Sequence, residues 1–165
     1  TCALPISMGG ATVQTLLLEN PGRFSRAGLV SAGAKLRVLP VIFEKLASDF
    51  PGYLDLMDKF AFSGTAAAAA KREVLEDTAK QDPAVIAQDF RACDVFNVAD
   101  RLPEIKSRVV IVSGTDDLLT PPKFSDILHA GIAGSKLIRI TDCGHMVTSE
   151  KPTELAAALR GLLRG

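Results

Sequence analysis

Neither sign of charge prevails in this sequence: nineteen Lys and Arg stand against nineteen Asp and Glu, and no basic run occurs. There is thus no electrostatic footprint for nucleic acid or for an anionic membrane surface. No apolar run approaches the roughly 20 residues that a bilayer-spanning helix needs. Cysteine is scarce and odd in number. Cys2, Cys93 and Cys143 form no C-x-x-C pair, which argues against a disulfide framework and makes a reducing cytoplasm the default compartment. No cluster of His, Cys, Asp and Glu has metal-ligand spacing, and no glycine-rich phosphate loop is present, so neither metal nor cofactor is expected. No internal repeat is visible.

What is present is a chain of 165 residues, 47% hydrophobic, long enough for one domain with a real core. The stretch 108–150 organises it. Val109-Val110-Ile111-Val112 is an apolar, β-branched run, too short for a helix and suited to a strand buried on both faces. It stops at an acid-bearing loop, Ser113-Gly114-Thr115-Asp116-Asp117, which continues to Thr120-Pro121-Pro122. The pattern predicts a helix over roughly 123–133 and a strand over 136–140, which ends at Thr141-Asp142-Cys143-Gly144-His145-Met146. That order brings a carboxylate and an imidazole to one edge of a parallel sheet, where open α/β sheets bind ligands.

Gly114-x-x-Asp117 with Thr120-Pro121 behind it, then Gly144-His145-Met146 and Glu150-x-Pro152, resemble the acid and histidine ends of α/β-hydrolases. That family keeps its serine, acid and histidine in this chain order, and Ser7-Met8-Gly9-Gly10 resembles the serine end. The resemblance runs from Ser7 over nearly all of the remaining chain. It implies an α/β fold class: a partial α/β-hydrolase fold, a mainly parallel sheet with flanking helices and an inserted helical cap. It also implies Ser7 as nucleophile, His145 as its base, Asp117 as the group that orients His145, and the Met8 N–H as an oxyanion donor. A second oxyanion donor normally comes from an earlier strand-to-helix loop, for which this chain has no counterpart. The function so implied is serine hydrolysis of a carboxylic ester, thioester or lactone, with a small-molecule ester or acyl compound as the partner. Two alternatives stay open. One is other chemistry on the same fold, such as haloperoxidase or C–C bond hydrolysis. The other is a non-catalytic, hydrolase-like binding protein that has lost its serine.

Each residue also has a plainer reading. Ser7 alone would be a helix N-cap, and a lone Gly-His would be structural. Asp116 competes with Asp117, but the family places its acid three residues after the glycine, which leaves Asp116 as a solvated or capping neighbour. His129 lies mid-helix with no acidic or cysteine partner at metal spacing and reads as a surface or packing residue. Cys143 reads as packing.

The first six residues look foreign. A hydrolase elbow reads Gly-x-Ser-x-Gly, whereas Pro5 stands two before Ser7. Proline removes an N–H from what should be a central strand. Thr1-Cys2-Ala3-Leu4-Pro5-Ile6 is also what the end of a common short-read sequencing adapter encodes when translated. The expectation is a piece of a longer gene with adapter at its front, inactive in turnover by itself, so that the reactivity of Ser7 toward acylating probes is what tests the chain alone; the rival is a genuine but unusual elbow or a coincidental strand.

Domain organisation follows. Residues 1–6 form the leader, 7–33 and 103–165 the α/β core, and 34–102 a helical cap. In the core, a helix over 8–19 ends at Asn20-Pro21-Gly22, a strand follows at 27–30, and a helix over 153–163 turns Leu155, Ala156, Leu159, Leu162 and Leu163 inward. The cap reads as helices over 36–50, 53–62, 65–80 and 83–93, with breaks at Pro51-Gly52, Ser63-Gly64 and Asp82-Pro83. Its Phe43, Phe50, Tyr53, Leu56, Met57, Phe60 and Phe62 either line an acyl pocket or pack the cap helices together. With only about four strands, the nucleophile strand would form an exposed edge prone to aggregation.

Overall fold

Four parallel strands lie side by side in the order in which the chain makes them: β1 (Cys2–Ala3), β2 (Arg26–Val30), β3 (Arg108–Gly114) and β4 (Lys136–Ile140). They come from a computed structural model that describes residues 2–3 and 6–163. Parallel neighbours cannot be joined by a hairpin, so each connection must carry the chain back across a face of the sheet. Helix α1 (Met8–Glu19) does this between β1 and β2, and α6 (Pro122–Gly131) between β3 and β4. Between β2 and β3 stand α2 (Pro40–Ser48), α3 (Phe50–Ala61), α4 (Ala68–Ala79), α5 (Pro83–Val95) and a 3-10 helix, Ala99–Glu104. The short α7 (Val147–Glu150) and then α8 (Pro152–Leu163) follow β4.

Period-two alternation in β3 divides the core. Val109 and Ile111 face one side with Leu29 of β2, Val13, Leu17 and Leu18 of α1, and Leu128 and Ile132 from α6 and its exit. Val110 and Val112 face the other, with Val30, Ile140, Cys143, Val147, Leu155 and Leu162. The apolar run is therefore buried on both faces, as a strand between two helical layers must be. Val30 pairs with Val112 and Gly114 with Ile140, so the strands end nearly in line. That register delivers the segments after β1, β3 and β4 to one edge.

The remaining helices follow local chemistry, and several boundaries move from those read off the sequence. Helix α2 starts at Pro40 rather than near Leu36, because proline fixes φ for a first turn while residues 35 and 36 bond to Asn97 and Phe96. Pro51-Gly52 is not a break. Asp49 caps α3 by accepting the Gly52 N–H at 2.9 Å, which places Pro51 in the first turn, where its missing N–H costs nothing. Asp82 caps α5 in the same way. On α8, Leu155 and Leu162 turn inward but Ala156 is exposed, and Leu163 has no described side chain. Tyr53 stacks on Phe50 at 5.9 Å and meets the edge of Phe90 at 6.2 Å, with Leu46, Ala87 and Met57 around them. Phe50, Tyr53 and Met57 thus bind α2, α3 and α5 to one another. Of residues 1–6, Thr1, Leu4 and Pro5 lie outside the described residues, so the fit of Pro5 in a strand does too.

Two outcomes follow from this core. Ile111→Ala should lower the unfolding free energy by about 2–5 kcal/mol, read as a shift in urea midpoint at constant slope. Leu118→Ala, at a position 59% exposed, should change it by no more than about 0.5 kcal/mol. The second outcome concerns Cys143, which is fully buried. Burial first, and then the charge of Glu150, push its thiol from the ordinary value near 9 up to about 12. Iodoacetamide at neutral pH should leave Cys143 unmodified until the chain is unfolded. As pH rises above 9 the unfolded thiol ionises while the folded one does not, so stability falls with pH from about 9 to 12. Cys143→Ala should reduce that alkaline loss, measured as the difference in urea midpoint between pH 8 and pH 10.

Candidate active site

Ser7 stands between β1 and α1 with φ 54° and ψ −120°, a backbone conformation unfavourable for a residue with a Cβ. The turn is held from both sides: the Ser7 N–H donates to the Val30 carbonyl at 2.9 Å and the Gly10 N–H to the Ser7 carbonyl at 2.7 Å. Helix α1 leaves it tight against the exit of β2, since a Cβ at Gly10 would sit 2.5 Å from Cβ of Ala32. The Ser7 side chain makes no capping bond to α1. Its Oγ lies 2.8 Å from Nε2 of His145, so the plain N-cap reading does not describe it.

Asp117 comes from the loop after β3. Its start is fixed by main-chain bonds, Thr115 N–H to Ile140 at 3.0 Å and Asp116 N–H to Cys143 at 2.9 Å. Gly114 is required there, because any Cβ would overlap the carbonyls of Cys143 and Gly144. The Asp117 carboxylate is 1% exposed, and a buried charge persists only when its oxygens are bonded. Oδ1 accepts the N–H groups of Leu119 (2.9 Å) and Thr120 (2.8 Å), while Oδ2 accepts the Thr120 hydroxyl (2.8 Å). Nδ1 of His145 completes the set at 3.0 Å from Oδ2 and 3.1 Å from Oδ1. A carboxylate only accepts, so Nδ1 carries a proton and Nε2 is left as the acceptor for the Ser7 hydroxyl.

His145 itself is 4% exposed, with its main chain held by the Ala61 carbonyl, which accepts its N–H at 2.9 Å, and by Ser31, whose hydroxyl donates to its carbonyl at 2.9 Å. Ser31 also has positive φ, 47°. The structure thus brings Ser7, Asp117 and His145 into one hydrogen-bonded chain, with Met8 as the first residue of α1 directly after Ser7. Asp116 is exposed and takes the Thr115 hydroxyl instead. His129 is exposed on α6, with Nδ1 2.9 Å from the Ser135 hydroxyl. Among the described residues no group of three or more His, Cys, Asp and Glu is placed to hold a metal ion.

Three contributors were not legible beforehand. Thr120 belonged to the acid motif, but its bond to Asp117 and its 3.2 Å approach to Nδ1 of His145 did not follow from spacing. Ser31 and Ala61 carry no local signal, since each acts across more than 80 residues of chain on a backbone group of His145. Chemically, a hydroxyl donating to an imidazole whose far nitrogen is fixed by a buried carboxylate can pass its proton to that ring as the oxygen bonds elsewhere.

Comparison with known proteins bears on the family and the fold. The model of the alpha/beta hydrolase family matches residues 6–158. A solved thermophilic esterase is 31% identical with a TM-score of 0.87, covering 98% of this chain and 64% of its own. An N-acyl homoserine lactone degrading enzyme is 26% identical with a TM-score of 0.80, covering 98% and 66%. Proline iminopeptidase from Lactobacillus acidophilus is 38% identical over 65 residues, 39% of this chain and 22% of the peptidase. The chain therefore spans less than two thirds of the length of these relatives. With the family model spanning most of its residues, this chain belongs to the alpha/beta hydrolase family.

Proposed function

We propose that this chain carries the catalytic residues of a serine hydrolase that cleaves a carboxylic ester, thioester or lactone. The observation that carries the reading is the contact of 2.8 Å between Ser7 Oγ and His145 Nε2, on a ring whose other nitrogen is held by buried Asp117. In this mechanism Ser7 Oγ attacks the acyl carbon as its proton passes to Nε2. The carbonyl electron pair moves to oxygen, where the Met8 N–H, at the positive end of α1, stabilises it. Collapse of this intermediate expels the alkoxide or thiolate, which takes the proton from His145 and leaves an acyl group on Ser7. Water, deprotonated by the same nitrogen, then releases the acid. Asp117 holds the productive tautomer and stabilises the imidazolium without taking the proton.

We also propose that the helices of 34–102 form a cap over this edge. In support, the carbonyl of Ala61, at the end of α3, accepts N–H groups of the histidine loop. The solved esterase and the lactone-degrading enzyme support an oxygen-ester substrate. The iminopeptidase match gives weight to a second reading, amide cleavage, which the same three residues can perform when the leaving amine is protonated by His145.

A fluorophosphonate probe should form an adduct on Ser7, located by peptide mass spectrometry and absent in Ser7→Ala. Asp117→Asn, which favours the wrong tautomer, should slow ester turnover by up to about 10,000-fold at an unchanged fold. Rates on p-nitrophenyl esters, a lactone and a proline p-nitroanilide separate the ester reading from the amide one. Esterase activity that survives Ser7→Ala would contradict both.

A further inference from the structure

The loop that carries His145 is fastened to the helices between β2 and β3 as well as to the sheet. The carbonyl of Ala61, the last residue of α3, accepts the N–H groups of His145 at 2.9 Å and Met146 at 3.2 Å. A helix C-terminus leaves such carbonyls without an intrahelical partner, and the histidine loop supplies donors for this one. The chain then turns through Phe62, Ser63 and Gly64. The Ser63 N–H donates to Oε2 of Glu150 at 3.0 Å, and the Gly144 N–H lies 3.1 Å from both Glu150 oxygens. One carboxylate thus joins the residue preceding His145 to a residue two beyond the end of α3.

The chemistry of this joint selects its connector. Both backbone groups are donors, so neither can satisfy the other, and an acceptor must stand between them. The two backbones also meet too closely for a side chain on the loop itself: a Cβ at Gly144 would lie 2.5 Å from the Ser63 nitrogen and 2.6 Å from the Phe62 carbonyl carbon. Glu150 reaches in from the end of α7, six residues after Gly144, and supplies two acceptor oxygens. The Ser7–His145 contact depends on where this loop is held, and a displacement of about 1 Å in a reacting pair can cost about 100-fold in rate.

We propose that Glu150 is a positioning residue: its carboxylate ties the histidine loop to the end of α3, so that the placement of α3 sets the reach of His145 to Ser7. The proposal rests on the hydrolase reading given above. It makes the helices of 34–102 more than a cover, because any shift of α3 on binding a substrate is passed directly to the base.

Three proteins test it: the wild-type chain, Glu150→Ala and Glu150→Gln. The alanine removes both acceptors. The glutamine can keep its carbonyl oxygen at the position of Oε2, still bonded to Ser63 and Gly144, but sets an NH₂ against the Gly144 N–H. The rate of fluorophosphonate labelling at Ser7 should fall about tenfold or more in Glu150→Ala, with Glu150→Gln between it and the wild type. In the His145→Ala background the same change should cost nothing further, because Glu150 acts only through that ring. A labelling rate unchanged in Glu150→Ala, or a loss of equal factor with and without His145, overturns the proposal. Should Glu150→Ala fail to fold, the glutamine variant carries the same comparisons. Should the wild type not label at Ser7, the hydrolase reading falls, and NMR decides the joint separately. Faster amide exchange at Ser63 and Gly144 with shifted His145 ring signals in the Glu150 variants supports it; wild-type exchange or unshifted ring signals overturn it.

Discussion

Everything in this site depends on holding one imidazole by both nitrogens at once. The His145 ring meets Ser7 on one side and Asp117 on the other, and the two partners are 110 positions apart in sequence. Neither bond sets the ring's place alone, because each partner is itself fixed by something else. Asp117 is immobilised by the donors of Leu119 and Thr120, and Ser7 by a backbone turn that only its neighbours make tolerable. The parallel register supplies the common edge on which these supports converge.

A consequence is that the sheet and the helices between β2 and β3 are not independent layers at this edge. Ser31 holds the His145 carbonyl from the sheet side, while Ala61 holds its N–H from the end of α3. Glycine makes this crowding possible at two points. Gly114 lets the acid loop pass beneath the carbonyls of Cys143 and Gly144, and Gly144 lets the histidine loop lie against Ser63 and Phe62. Cys143, between them in space, has no exposed surface, which suits a packing residue and not a second nucleophile.

The sheet was legible because its strands are apolar runs with a strong period. The predicted strand at 136–140 and the helix at 8–19 match β4 and α1 residue for residue, and the run 109–112 became the centre of β3. Helix starts among residues 34–102 were less legible, since Pro40 opens a helix inside the predicted span 36–50 and Pro51 sits in a first turn where the sequence suggests a break. The proximity of Ser7, Asp117 and His145 followed from their places at strand ends, together with the family resemblance. The supports did not. Ser31 and Ala61 act on backbone groups of His145 remote in sequence, and such bonds leave no spacing to find; Glu150 stood in the histidine motif, but its bond to the Ser63 N–H far upstream did not follow from that motif. On α8, Leu155, Leu159 and Leu162 pack inward as the sequence stripe predicts, and Ala156 falls outside it.

The most direct measurement is rapid-quench mass spectrometry of the protein mixed with a p-nitrophenyl ester at neutral pH. If the Ser7 hydroxyl is activated by the ring it touches, an acyl adduct accumulates on the peptide containing Ser7 at the rate of the p-nitrophenolate burst. It fails to form in His145→Ala. An ester consumed with no adduct on Ser7, or an adduct that forms equally well without His145, would contradict the account.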